Sequence, residues 1–198
     1  CVTGVQTCAL PIFQCHSVGM LQHLHEISAA LQNVLGDLLK AIYHKSKDTL
    51  PKRIELFDQY IHGNLVVPHI ATEDDIQYAI DWINGQKTGF FIDQRDNRKL
   101  LGSLSKGKKV LNTFCYSGGF SLQALKSGAE LVYSIDSSQK AIALCDQNVL
   151  LNRFSERHIS VVADAMDFIK NLPEDRSEEH TSELQSHSDL VCRLLLEK

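Results

Sequence analysis

KKVLNTFCYSGGFSLQALKSGAELVYSID, Lys108 to Asp136, decides the fold. KKVLNTF reads as a buried strand, GFSLQALKSG as a helix that ends at Gly128, and ELVYSID as a second strand. The alternation then repeats. SSQKAIALCDQNVLLN is a helix capped by Ser137 or Ser138, HISVVAD a third strand and AMDFIKNL a third helix. Strands separated by helices of this length are joined by crossovers, which makes the sheet parallel and the class α/β.

Upstream of Lys99 the pattern is different. From Ser17 to Leu39, Met20, Leu21, Leu24, Ile27, Leu31 and Leu35 recur at helical spacing, with Gln22, Glu26 and Asn33 facing outward. LKAIY is rich in strand formers, LPKRIELFDQ is mixed, and NLVVPHI with DDIQYAIDW predicts two strands across a polar turn. Ile76, Tyr78 and Ile80 alternate there with polar or small residues. Residues 13–72 thus form a small α+β piece that precedes an α/β domain over 73–175.

The two ends read as foreign to this plan. One DNA string, translated on opposite strands, encodes VTGVQTCALPI (Val2 to Ile12) and RSEEHTSELQS (Arg176 to Ser186), and it is a common sequencing adapter. Residues 1–12 and 176–198 are therefore expected to be adapter-derived. The tails hold Cys1, Cys8 and Cys192, which leaves Cys15, Cys115 and Cys145 and argues against a disulfide framework. Their five acids and three bases take two of the four net negative charges, so the interior is mildly acidic and carries no general nucleic-acid-binding charge. His16, His23, His25, His44, His62, His69 and His158 form no metal motif, and no metal is expected. No apolar run is long enough to cross a membrane, and the start lacks a basic leader, which predicts a soluble cytoplasmic chain. The sequence is silent on oligomeric state.

Ligands of open parallel sheets bind at the carboxyl ends of the strands. The first such end is FCYSGGF, Phe114 to Phe120, where Gly118 and Gly119 permit a sharp turn close to a ligand or simply a tight turn. The second is Asp136, about 20 residues beyond the glycines, where a carboxylate can accept the hydroxyls of an adenosine ribose or cap a helix. The third is Asp164, suited to an adenine amino group or again to a helix cap. The fold predicted is Rossmann-like. A dinucleotide oxidoreductase is the first alternative, but the turn lacks G-x-G-x-x-G. A noncatalytic Rossmann-like interaction module is the second.

TGFFIDQRDNR (Thr88 to Arg98), VLNTFCYSGGFSLQAL (Val110 to Leu125), YSIDSSQKAI (Tyr133 to Ile142) and NVLLN (Asn148 to Asn152) resemble the bacterial large-subunit ribosomal RNA cytosine-5 methyltransferase family. QCHSVGM through IYHKS resembles that family's small central domain, and its RNA-binding amino-terminal domain would precede Phe13. The resemblance implies the first three strand-helix units of a class I methyltransferase fold, S-adenosyl-L-methionine as cofactor and ribosomal RNA as partner. Carried over, it sets the cofactor's methionine portion near Phe114, Cys115, Tyr116, Ser117, Gly118 and Gly119. The ribose falls to Asp136, the adenine to Asp164 and Ala165, and the amino-acid end to Gln94 and Arg95. Arg95 and Arg98 also read as solvated helix charge, and Lys106, Lys108 and Lys109 as a charged loop rather than a phosphate contact.

In the resembled family the attacking cysteine and an Asp-Pro-Pro motif follow the third unit, so no catalytic residue is expected within this chain. Cys115 sits in the turn, and Cys145 is expected on a helix's core face with Ala143, Leu144 and Val149. An inactive, poorly stable fragment with a bare sheet edge is the expectation.

Overall fold

The computed structural model describes residues 10–51, 55–171 and 194–197. Most of both adapter-assigned segments lies outside the described residues. The described chain forms two compact units, one of residues up to Asp74 with Ile80–Phe91, the other of Asp75–Ala79 with residues from Ile92 onward.

In the first unit β1 (Ile12–Phe13) pairs in parallel with β2 (Ala41–His44), which pairs antiparallel with β3 (Gln59–Gly63). The helical stretch is two helices, α1 (Val18–Gln22) and α2 (Leu24–Leu35), where the periodicity predicted one. His23 leaves helical geometry at φ −92°, ψ 6°, and Ser17 caps α1 by accepting from the Met20 amide. Met20, assigned to the apolar face, is 49% exposed, and Leu24 and Ser28 are the residues of α2 that are buried. Cys15, Leu24 and Leu50 form a small core with Phe13, Leu21, Leu56 and Ile61 packed on it. Tyr43 and Tyr60 meet edge to face at 4.9 Å, and Trp82 Nε1 donates to the Tyr60 hydroxyl. Lys45 Nζ donates to the carbonyls of Trp82 and Gly85 and so pins the 82–85 turn. NLVV forms no strand: β4 (His69–Glu73) starts beyond it, and β5 (Ile76–Ile80), whose residues up to Ala79 belong to the second unit, follows after the Asp74–Asp75 turn.

In the second unit α3 (Arg95–Ser105) leads into β6 (Lys109–Thr113), α4 (Gly119–Lys126), β7 (Leu131–Asp136), α5 (Gln139–Leu151), β8 (His158–Val162) and α6 (Ala165–Lys170). The strands lie in the order β8-β7-β6 and are parallel, in register Thr113 with Ile135 and Asp136 with Val162. This is a Rossmann-like α/β sheet. β6 and β7 are buried through apolar Val110, Leu111, Val132 and Ile135, as parallel strands covered by helices require, and they also bury the polar Asn112, Thr113 and Ser134. Ser138 caps α5 through the Ala141 amide. The buried face of α5 is Ala141, Ile142, Cys145, Asn148 and Val149, so Ala143 faces solvent rather than the core.

The bare edge expected beside β6 is filled. β9 (Leu194–Glu197) pairs antiparallel with it, Asn112 opposite Leu194 and Lys109 opposite Glu197. Backbone hydrogen bonds define this pairing, and an unpaired edge accepts any extended segment that can reach it.

Candidate functional site

Between β6 and α4 the backbone turns through left-handed geometry at Phe114 (φ 57°), Tyr116 (φ 45°) and Gly118 (φ 76°). Aromatic residues rarely adopt this region, so each needs support from outside the loop. The neighbouring strand supplies much of it. Cys115 N donates to the Ile135 carbonyl at 3.1 Å, Tyr116 N to Asp136 Oδ2 at 3.1 Å, and Gly118 N closes the turn on the Cys115 carbonyl at 2.8 Å. Gly118 must be glycine on a second count, since a Cβ there would lie 2.6 Å from Cys145 Sγ on α5. Cys115, Ser117, Gly118 and Gly119 are buried, and Phe114 is turned outward at 38% exposure.

Asp136 does more than end a strand. Its Oδ2 accepts from Tyr116 N and its Oδ1 from Ser138 N at 2.9 Å, so one carboxylate organises both the glycine loop and the start of α5. Each carboxylate oxygen has a second lone pair, which leaves capacity for ligand hydroxyls. Ala163 N donates to the Asp136 carbonyl at 3.1 Å and ties the third strand end to the second. Asp164 is the cap of α6: its Oδ1 accepts from the Met166 and Asp167 amides at 2.9 and 3.1 Å. Ala165 is buried against Leu111 and Ile135, so its methyl belongs to the core and its backbone alone faces the edge. The structure thus brings 114–119, Asp136, Asp164 and Ala165 to one edge of the sheet.

Gln94 and Arg95 sit elsewhere in the sequence order, at the opening of α3. Gln94 Oε1 accepts from Asn97 Nδ2, and Arg95 Nε approaches Asp96 at 3.4 Å. Arg98, expected as solvated charge, is buried at 2% exposure. Lys106 and Lys108 precede β6 and Lys109 opens it, at the opposite end of the strand from the glycine loop. A five-residue strand separates the two by about 16 Å.

Beneath the loop runs a buried polar chain that the sequence analysis missed. Asn112 Nδ2 donates to Ser121 Oγ at 2.7 Å, Ser121 Oγ meets Ser134 Oγ at 2.6 Å, and Ser134 Oγ meets His158 Nε2 at 2.7 Å. The same His158 nitrogen lies 3.7 Å from Cys145 Sγ. A hydrogen bond with the Cys115 thiol, reinforced by His158 and opposed by burial, pulls Cys145 down to about 6. The signal in the sequence was a run of small polar residues at positions that the strand and helix periodicities assign to the core.

Among the described residues no group of three or more His, Cys, Asp or Glu side chains is placed to hold a metal ion, and no helix is long and apolar enough to cross a membrane. All three described cysteines are buried.

Residues 53–171 match the family model described as S-adenosylmethionine-dependent methyltransferase. The ribosomal RNA large subunit methyltransferase I of Tolumonas auensis is 36% identical over 146 residues, which cover 72% of this chain and 36% of that protein. The protein of the same name from Shewanella frigidimarina is 42% identical over 50% of this chain and 25% of its own length. The chain therefore spans between a quarter and about a third of these relatives. Among solved structures, SMU.776, a candidate methyltransferase complexed with SAH, superposes with a TM-score of 0.70 at 28% identity over 81% of this chain and 41% of that one. The oxidoreductase alternative gains no support from these likenesses. The chain belongs to the S-adenosylmethionine-dependent methyltransferase family.

Proposed function

We propose that residues 13–175 are the cofactor-binding part of an enzyme that methylates large-subunit ribosomal RNA, with cytosine C5 as the target. The observation that carries this reading is the joining of three strand ends by the Cys115–Ile135, Tyr116–Asp136 and Ala163–Asp136 hydrogen bonds. A ligand at that edge meets the hydrogen-bonded loop, a ribose-type carboxylate at Asp136 and, at Asp164, a carboxylate whose Oδ2 takes no part in the cap bonds. S-adenosyl-L-methionine, when bound, supplies an electrophilic methyl group. Phe114, Cys115, Tyr116, Ser117, Gly118 and Gly119 would hold its methionine portion, and Gln94 and Arg95 its amino-acid end. The names of the relatives support the RNA substrate.

Cytosine C5 becomes nucleophilic when a thiolate adds to C6. Cys115 and Cys145 are 5% and 0% exposed, and Cys145 is packed under Gly118, so neither can reach a base. The attacking cysteine then belongs to the length of the relatives that this chain does not cover, and the chain binds cofactor without turnover. Residues 13–72 correspond to the family's small central domain, 73–175 to the start of the methyltransferase domain, and 1–12 with 176–198 to adapter sequence. Equilibrium dialysis with labelled S-adenosyl-L-methionine, beside a transfer assay on large-subunit ribosomal RNA, tests the reading. Saturable binding abolished by Asp136→Ala, without methyl transfer, is expected; methyl transfer by this chain, or binding indifferent to Asp136, would overturn it.

A further inference from the structure

Asn148 on α5 and Asn152, which caps its carboxyl end, are one helical turn apart, and both turn toward β5. Asn152 Oδ1 accepts from the Gln77 amide at 2.9 Å and its Nδ2 donates to the Gln77 carbonyl at 2.7 Å, so one side chain imitates a neighbouring strand. Asn148 Oδ1 accepts from the Ala79 amide at 2.7 Å, two residues further along. The spacings agree: four helical residues advance about 6.0 Å and two strand residues about 6.6 Å. Asn148 departs from Asn152 in one respect. Its Nδ2 donates not to β5 but to the carbonyl of Ser117, at 2.9 Å, in the middle of the glycine loop. The amide's orientation is dictated by its partners, since the Ala79 N–H can only donate and the Ser117 carbonyl can only accept. Asn148 is wholly buried, and Cys145, three residues before it on the same face, lies under Gly118.

We propose that Asn148 is a positioning residue for the cofactor loop, fixing the Ser117 carbonyl so that the peptides on either side keep the left-handed turns at Tyr116 and Gly118, while Asn152, whose Nδ2 also donates to the Asn148 carbonyl at 2.8 Å, holds the strand and the end of α5 and makes no bond to the loop. The assignment rests on the loop's being the S-adenosyl-L-methionine loop. No group of Asn148 need touch the ligand. The loss of one buried hydrogen bond to that carbonyl loosens a turn held in left-handed geometry.

The test compares Asn148→Asp, Asn148→Ala and Asn152→Ala in the full chain by amide hydrogen exchange and by S-adenosyl-L-methionine affinity. Asn148→Asp retains the acceptor for Ala79 but opposes an oxygen to the Ser117 carbonyl. The Cys115, Tyr116 and Gly118 amides should exchange faster in both Asn148 variants, and affinity should fall about tenfold or more. Asn152→Ala should lower the melting temperature with loop exchange and affinity unchanged. Equal loop exchange in Asn148→Asp and the unmodified chain would overturn the proposal, as would an Asn152→Ala effect on the loop of the same size. Should the Asn148 variants not fold, the unmodified chain still decides: cofactor should slow exchange at the Ala79 amide more than at Gln77, and an equal response would overturn it. An unmodified chain that binds no cofactor, with loop exchange still faster in Asn148→Asp, would refute the methyltransferase site and leave the loop-positioning role intact.

Discussion

Gly63 in the first unit and Gly118 in the second both take left-handed backbone, φ 59° and 76°, yet a side chain would meet different things at each. At Gly63 a Cβ would fall 2.0 Å from the Lys40 carbonyl oxygen and 3.1 Å from the Ala41 Cα, both backbone of the partner strand edge. At Gly118 it would meet the sulfur of Cys145 at 2.6 Å, with the Cys145 Cβ at a permissive 3.4 Å. The first unit is closed by main chain against main chain, which cannot yield. In the second the corresponding contact is to a side chain, so the loop's shape is adjustable by neighbours.

The largest effect should come from Gly63→Ala, which combines a positive φ with an unyielding clash and should cost about 3 kcal/mol or more. Trp82, the chain's single tryptophan, is buried in the first unit, so its fluorescence in a urea titration reads that unit. A midpoint unchanged from the unmodified chain would break the contrast. Gly118→Ala should cost about 1–2 kcal/mol for the backbone alone, plus the displaced sulfur. Adding Cys145→Ala should return part of the loss, because it removes the atom in conflict; strictly additive effects in the double variant would show that sulfur is not the obstacle.

Ser134→Ala comes next, at about 1–2 kcal/mol, since it cuts the Ser121–Ser134–His158 chain in the middle and strands two buried partners. A Ser121→Ala/Ser134→Ala pair should cost less than the sum of the singles, as the calorimetric melting of all three variants would show.

The smallest effect is the pH dependence, and it separates the units by window. Burial holds His44 below its ordinary value of 6.5, against a weaker pull from Asp58. Below 6.5 the unfolded state therefore binds the proton first, and the first unit loses stability as pH falls through that region. For Cys145 the folded value of about 6 lies under the ordinary 9.0, so the folded state has released a proton that the unfolded state keeps. The second unit should accordingly gain stability as pH rises from about 6 to 9 and lose it as pH falls back through 6. Melting curves of His44→Gln and Cys145→Ser should flatten in the acid and alkaline windows respectively; a flat profile in the unmodified chain would dispose of both.

The two units also differed in how far their sequences disclosed them. KKVLNTF, ELVYSID and HISVVAD became β6, β7 and β8 nearly as read, because each is a short run rich in strand formers between helical segments and needs no distant partner to be recognised, even β8, which lies at the sheet edge with no residue fully buried. In the first unit β3 hid in QYIHG, a half-buried stretch whose strand character comes from its pairing with β2 rather than from its own composition. The break at His23 was equally invisible, since the apolar spacing runs on across it. At the site, the glycine turn and the two aspartates could be located from strand ends alone. What escaped was everything that a core position does with a polar atom: the Asn112 to His158 chain, the burial of Arg98, and Asn148 and Asn152, which periodicity could place on a face but could not pair with Gln77 and Ala79 some seventy residues away. Sequence separation erases such partners, although two asparagines four apart on a mostly apolar helix invite the question.

That asparagine pair has a further consequence, which is geometrical. Helix and strand advance at steps that differ by about 0.6 Å per matched interval. A third rung would be off by about 1.2 Å, beyond what a hydrogen bond tolerates. The two scales behave as a vernier with just two coincident marks. Inserting or deleting one residue between 148 and 152 would rotate one mark off the face entirely, so this four-residue interval should admit substitutions at 149–151 far more readily than any change in length.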